Sequence, residues 1–285
     1  MYVLCSPCIL EPRLRAEGIT TSSDLAVFER VGDRCAKFGI EMVPLPCPET
    51  RYLGAERKAG TFLERLNTGE FAAVLDSLEG DVRAIIGDRG VPLCIIGVNS
   101  SPACGVTSSY YGSIGSEPPK HEGRGVFLSR FPSIRALDAV TFSRYRIYLA
   151  APLFSEAERT FNASLAALLE KNLFEVYLPQ TSGDDSDLRD GKEQSFLFRK
   201  NIDMIRNSDA VVAIIDGADA DSGTAWEIGY AFALEKPVIA LRTDFRRVGD
   251  HELVNLMLEQ SACIARNQDQ LLSILNSPVS DGPDA

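Results

Sequence analysis

Two kinds of hydrophobic pattern alternate along this chain. Short, almost wholly apolar runs such as PLCIIGV, RIYLAAP, AVVAIID and PVIALR are separated by longer stretches in which apolar residues return every three or four positions. The first kind reads as strands buried on both faces of a sheet, the second as amphipathic helices. In the first half the pattern predicts a strand over 2–4 and a helix over 23–38 with Leu25, Phe28, Val31 and Cys35 on one face. A strand at IEMVPL, a helix near 61–78 and a strand at PLCIIGV follow. Residues 100–125 are rich in Ser, Gly and Pro and read as loop, ahead of a short strand over 125–128 and a short helix. From Arg144 the alternation restarts with a strand at RIYLAAP, a helix over 156–171, a strand at FEVYLP and the Asp/Gly loop SGDDSDLRDGKE. Then come a helix over 194–206, the strand AVVAIID, a second Gly/Asp loop, a helix from Thr224, the strand PVIALR and a helix over 268–275.

Strands alternating with helices of about 10–15 residues predict an α/β fold with a parallel sheet. The expected architecture is a doubly wound, flavodoxin- or Rossmann-like domain over 144–277, preceded by a cysteine-rich α/β domain over 1–140. The tail 278–285 (PVSDGPDA) reads as disordered. Ligands of doubly wound sheets sit at the carboxyl ends of the strands, so the loops after Leu149, Leu178 and Ile215 are expected along one rim.

Composition narrows the partners. Of 285 residues, 45% are hydrophobic and 24% charged, an ordinary globular mix. Asp plus Glu outnumber Lys plus Arg by 40 to 29, a formal charge of −11, with most of the excess in the second half. Neither half has the basic surplus that neutralising phosphates requires, which disfavours a nucleic-acid polymer and an anionic membrane surface. The longest apolar runs fall far short of the ~20 residues that a membrane span requires. The opening MYVLCSPCIL lacks a basic n-region and a small-residue cleavage site, so it does not read as a signal peptide. A soluble cytoplasmic protein is expected. Its cysteines, Cys5, Cys8, Cys35, Cys47, Cys94, Cys104 and Cys263, then read first as buried thiols, next as metal or redox groups, and last as disulfides.

The segment DGADADSGTAWEIGYA, over 216–231, concentrates acidic chemistry: Asp216, Asp219 and Asp221 precede a helix expected from Thr224 with Glu227 in its first turn. Two readings are open. Thr224-x-x-Glu227 has the spacing of a capping box, and paired carboxylates also serve glycosidic chemistry. Likewise Tyr148 and Phe154 read as core aromatics, Asn255 as a helix-end polar residue and Asp216 as a loop residue.

The stretches YLAAPLF, SDAVVAIIDGADADSGTAWEIGYAFALEKPVIALRTDFR and VNLM together resemble the nucleoside 2-deoxyribosyltransferase family over about 144–277. The resemblance implies that Glu227 is the nucleophile that attacks the anomeric carbon of a 2-deoxyribosyl group and holds the sugar as an ester until a second base attacks. A carboxylate suits this role, because it stabilises an oxocarbenium-like transition state and then closes the bond. By position, Asp221 is implied to orient Glu227 and the sugar hydroxyls, and Tyr148 and Phe154 to lie by the nucleophile and base. Gln180 is implied to hydrogen-bond the base edge. Asn255 matches the family's Asn that reaches a neighbouring subunit's sugar 5′-hydroxyl, which implies a homo-oligomer, dimer or larger. The transfer needs no cofactor. One departure stands out. Many members carry an Asp proposed to protonate the leaving base where this chain has Asn201, and an amide donates a hydrogen bond but not a proton. Asp203, two residues on, falls on another helix face. Some superfamily members hydrolyse nucleoside 5′-monophosphates. The resemblance implies that Asp221 lies near the sugar 5′ end, where it would repel a phosphate and so favour a nucleoside.

In the first half CSPC, PCPE and SPACG place Cys8 (or Cys5), Cys47 and Cys104 where expected strands give way to loops. Thiolates on one rim suit a soft metal or an iron–sulfur cluster, although cysteine is also among the most buried residue types. This spacing resembles the 2-thiouracil desulfurase family and its uncharacterised relatives over about 1–140. That resemblance implies that the three cysteines hold a 4Fe-4S cluster with an open iron, and that Glu49 and Ser101 lie nearby. Cys35, Cys94 and Cys263 are expected in the core.

The sequence thus points to transfer of 2-deoxyribose between nucleobases, with a small-molecule nucleoside and a nucleobase as partners. An N-glycoside hydrolase of nucleosides or nucleotides, a salvage enzyme for thiolated bases, and a nucleoside-binding sensor that has lost turnover are the alternatives.

Overall fold

The computed structural model describes residues 1–112, 119–181, 191–246 and 253–277. The expected disordered tail, and most of the Asp/Gly loop after residue 181, lie outside the described residues. The chain divides into two units, Met1–Ser143 and Arg144–Ala285.

The first unit runs β1 (Tyr2–Cys5), α1 (Ser22–Lys37), β2 (Glu41–Pro44), α2 (Pro48–Leu53), α3 (Phe62–Arg65), α4 (Gly69–Arg89), β3 (Ile95–Gly97), β4 (Ser108–Tyr110), β5 (Lys120–Glu122), β6 (Ala136–Asp138) and α5 (Ala139–Ser143). Strands β2-β1-β3-β6 form a parallel sheet in that order. Alternation along β1 decides its two faces. Tyr2 and Leu4 pack with Phe71, Leu75 and Leu78 of α4 in the main core of the unit. Helix α1 starts at a capping box in which the Thr21 hydroxyl and the Asp24 carboxylate satisfy each other's backbone N–H groups.

Three expectations are corrected here. The helix near 61–78 is two helices, because the Thr61 and Thr68 side chains each cap a separate start. The loop over 100–125 contains the antiparallel pair β4–β5. Residues 125–128 are not a strand: the N–H groups of Val126 and Phe127 bond to the carbonyls of Pro102 and Ala103, which removes them from any ladder. Phe127 and Leu128 are fully buried core residues instead, and the fourth strand is β6.

The second unit runs β7 (Arg146–Ala150), α6 (Glu156–Lys171), β8 (Glu175–Tyr177), α7 (Gly191–Asn207), β9 (Ala210–Ile214), α8 (Ser222–Ala233), β10 (Val238–Leu241), α9 (Leu256–Ser261), β11 (Cys263–Ala265) and α10 (Gln268–Leu275). Its five strands are all parallel in the order β11-β10-β9-β7-β8, a doubly wound Rossmann-like sheet flanked by helices. Every residue of β9 is buried, as the wholly apolar run requires of a central strand. The sequence pattern did not predict α9 and β11. Cys263, expected in the core, is exposed, because it begins the edge strand β11, whose buried position is Ala265. Among the described residues, no helix is long and apolar enough to cross a membrane.

Helix α8 begins two residues earlier than expected. Asp221 is its N-cap, with Oδ2 accepting the N–H groups of Gly223 (2.9 Å) and Thr224 (3.0 Å). The Thr224–Glu227 capping box is therefore not formed. Thr224 sits in the third helical position and is buried, and Glu227 lies a turn further into the helix.

Candidate active site

The order β11-β10-β9-β7-β8 reverses direction between β9 and β7, where doubly wound sheets leave a crevice at their carboxyl edge. Tyr148 of β7 and Glu227 of α8 meet there, the Tyr148 hydroxyl donating to a Glu227 carboxylate oxygen. Tyr148 is fully buried in the core that also holds Ile228 and Ala231 of α8. Burial raises Glu227 from the ordinary carboxylate value to about 7, Asp221 adds to the rise by repulsion, and the Tyr148 hydrogen bond opposes it. The Tyr148 phenol is pushed well up, first by burial and then by the Glu227 charge, so it stays protonated and keeps donating. A carboxyl poised to ionise near neutral pH, with a fixed donor on one oxygen and a second carboxylate in range, is an arrangement suited to attack on an electrophilic carbon once it is ionised.

Parallel register sets Tyr177 of β8 directly beside Tyr148, and their rings stack with centroids 5.5 Å apart. The Tyr177 hydroxyl donates to Asn201 Oδ1 at 3.0 Å, and Lys200 Nζ lies 5.8 Å from the Tyr177 ring centre. Tyr177 was not singled out from the sequence. Its only signal is a tyrosine at the end of the strand that follows the one bearing Tyr148. Asn201 thus stands two side chains from Glu227, with its carbonyl oxygen engaged and its amide NH2 left as donor. Asp203, on the same helix, is exposed and pairs with Arg206 at 3.7 Å.

The remaining expected residues lie elsewhere on the rim. Phe154 is 75% exposed just before α6. Gln180 bridges to α6, its Oε1 accepting from Asn162 (3.0 Å) and its Nε2 donating to the Arg159 carbonyl (2.9 Å). Asn255 is exposed and N-caps α9, accepting the Met257 N–H at 3.0 Å.

In the first unit, the adjacent strands β2, β1 and β3 lead into loops bearing Cys47, Cys8 and Cys104 respectively. Burial pushes the Cys8 thiol up to about 12, and the charge of Cys47 adds to it. Cys104, buried, is raised well above the usual thiol value by burial and then by Cys47 and Cys8, so the three groups lie within electrostatic reach of one another. Cys47 Sγ accepts the Thr50 N–H (3.4 Å) and hydroxyl (3.2 Å). Glu49 accepts from Ser101 (3.0 Å) and from buried Arg57 (3.4 Å). A cleft of about 640 Å³ opens beside Cys47, lined also by Leu14, Arg51 and Asp81. Thiols are the soft donors that an iron–sulfur cluster takes. Among the described residues, no group of three or more His, Cys, Asp or Glu side chains is arranged to hold a metal ion. Cys5, Cys35 and Cys94 are buried, and all seven cysteines are free thiols.

Residues 147–265 match the model of the nucleoside 2-deoxyribosyltransferase family. Through its second unit, the chain belongs to that family. The family match takes in Tyr148, Asn201, Asp221, Glu227 and Asn255 and leaves the first unit outside it. The chain is 32% identical over 132 residues to an uncharacterised protein of Ureaplasma parvum, covering 41% of this chain and 82% of that protein. Among solved structures it is similar to a 2-deoxyribosyltransferase of Bacillus psychrosaccharolyticus at 24% identity and a TM-score of 0.40, covering 47% of this chain and 93% of that one. A 2-deoxyribosyltransferase of Leishmania mexicana is similar at 24% identity and a TM-score of 0.39, over 46% and 97% of the two chains.

Proposed function

We propose that the second unit cleaves the N-glycosidic bond of a 2′-deoxyribonucleoside through Glu227 and transfers the sugar to another nucleobase. The observation that carries this reading is the Tyr148–Glu227 hydrogen bond beside Asp221, at the sheet's switch point and inside the family match. In the ionised state a Glu227 oxygen attacks C1′. The C1′–N bond breaks, its electron pair leaves on the base nitrogen, and the sugar is held as an ester. A ring nitrogen of the second base then attacks C1′ and gives its proton to solvent, and the ester C–O bond breaks to return the carboxylate. Tyr148 holds the attacking group in one orientation, and Asp221 keeps a negative charge near the developing oxocarbenium. Asn201 steadies the departing base with an N–H donor, and the proton that base needs comes from water. Phe154 borders the base, and Gln180 reaches a base edge by exchanging its bond to Asn162. Asn255 serves the sugar 5′-hydroxyl of a neighbouring copy, so the working form is a homo-oligomer.

Incubation with 2′-deoxyinosine and excess adenine, followed by liquid chromatography, tests the reading. Deoxyadenosine is expected from the wild type and not from Glu227→Gln. Hypoxanthine with free deoxyribose and no deoxyadenosine would instead identify a hydrolase. Tight nucleoside binding without either product would identify a sensor.

For the first unit, we propose that Cys8, Cys47 and Cys104 hold a 4Fe-4S cluster, a reading supported by three thiols that follow adjacent parallel strands and lie within electrostatic reach of one another. When bound, it supplies an open iron able to take sulfur from a thiolated base. Anaerobic purification is expected to give a coloured protein with iron and acid-labile sulfide, and a colourless, iron-free preparation would overturn the assignment.

A further inference from the structure

Arg242 is 1% exposed and ranks among the largest fully buried side chains. A guanidinium taken out of water is costly unless its N–H groups are matched. Its Nη1 donates to the Ile215 carbonyl (2.7 Å), and its Nη2 to the carbonyls of Gly217 and Arg246 (both 3.2 Å). Nη2 also stands 3.2 Å from Asp244 Oδ1. Asp244 returns to the same loop, its Oδ2 accepting the Gly217 N–H at 2.7 Å. Asp216 binds in the opposite direction: Oδ1 accepts the N–H groups of Thr243 (2.6 Å) and Asp244 (3.0 Å), and Oδ2 accepts the Thr243 hydroxyl (2.7 Å). Gly217 holds φ +116°, a conformation that side-chain-bearing residues rarely adopt, so both its N–H and its carbonyl face the knot.

This knot begins where the ladder between β9 and β10 ends, at Ile214 and Leu241. The strands are paired by their backbone ladder up to this point. What the knot fixes is the loop that leaves β9, which four residues beyond Gly217 delivers Asp221, the cap of α8 and the neighbour of Glu227. We propose that Arg242, with Asp216 and Asp244, is a positioning device that sets Asp221 over the Glu227 carboxyl. Arg242 acts through the loop and touches no substrate. The inference rests on the reading of Glu227 as nucleophile.

The groups that act on Glu227 are Tyr148 from β7 and Asp221 from the loop before α8. Loss of the knot is expected to let Asp221 drift, weakening its repulsion of Glu227. The experiment compares wild type, Arg242→Met, Arg242→Lys, Asp216→Asn and Asp221→Asn in the base-exchange assay across pH, with folding checked by circular dichroism. Arg242→Met is expected to lower kcat about tenfold or more with a smaller change in KM, and to move the acid limb of kcat/KM to lower pH. Arg242→Lys, with a single charged nitrogen, is expected to restore part of both. Adding Arg242→Met to Asp221→Asn is expected to shift the limb no further, because the charge through which the knot acts is already gone. A folded Arg242→Met protein with wild-type kcat and acid limb would overturn the proposal. If that variant does not fold, Asp216→Asn decides by the same two readouts. Exchange retained by Glu227→Gln would overturn the underlying reading of the site, whatever the Arg242 variants do.

Discussion

At the scale of single residues, the site is a carboxyl whose ionisation is set by burial and by two neighbours with separable effects. Desolvation and Asp221 push Glu227 up to about 7, and the Tyr148 hydroxyl holds it from rising further. Tyr148→Phe is therefore expected to move the acid limb of kcat/KM to higher pH and to lower activity at pH 6 by about tenfold, measured as a pH–rate profile. The same shift has a stability consequence. A folded-state value raised above the unfolded one favours the fold below the unfolded value near 4.5, and this contribution disappears as pH rises towards 7. Above that, the buried charge is a burden. Glu227→Gln, which keeps an acceptor for Tyr148, is expected to be more stable than wild type at pH 8 by at most about 3 kcal/mol, seen as a higher melting temperature, with the difference shrinking towards pH 5. Equal melting of the two proteins across that range would show that Glu227 titrates normally. Asp221 and Glu227 were legible as a carboxylate pair because their identities and spacing are properties of the chain. Tyr177 was not, since only strand register brings it against Tyr148.

At the scale of elements, Asp221 does two jobs that substitution can divide. Its Oδ2 caps α8, and its charge acts on Glu227. Asn caps nearly as well as Asp, whereas Ala does not, so Asp221→Ala is expected to cost about 1 kcal/mol in denaturant unfolding and Asp221→Asn much less. If both variants lose activity alike while only one loses stability, the catalytic effect belongs to the charge. In the first unit, Gly97 ends β3 where an added Cβ would lie 2.4 Å from the Cys104 carbonyl oxygen. Gly97→Ala is expected to displace the Cys104 loop and to cost about 1–3 kcal/mol, read by thermal melting. The pattern along the chain located α6 and α10 to the residue, because each carries its own cap and apolar face. It misplaced the start of α8, where Thr224 has the identity of a cap and Asp221 has the geometry of one. It also missed the pair β4–β5, whose strands, Ser-Ser-Tyr and Lys-His-Glu, are three residues each and carry no apolar alternation.

At the scale of the molecule, each unit has its own sheet, its own core and its own candidate site. Cys47→Ser is accordingly expected to abolish iron binding after anaerobic purification and to leave base exchange unchanged, and a joint loss would show that the two chemistries are linked. The net charge of −11 predicts no retention on immobilised DNA at physiological salt. The α/β alternation, the two-unit division near residue 144, the carboxylate pair and the cysteine-bearing loops were readable from the chain itself. They are local properties: hydrophobic period, loop composition and residue spacing depend on neighbours a few positions away. The family resemblance had put Tyr148 near Glu227, but tertiary structure alone decided the hydrogen bond between them, that Tyr177 turns Asn201 into a donor, and that a buried Arg242 ties two loops together at the rim. Those contacts join residues 24 to 79 positions apart, and no periodicity in a sequence records which strand ends will be neighbours once the sheet has formed.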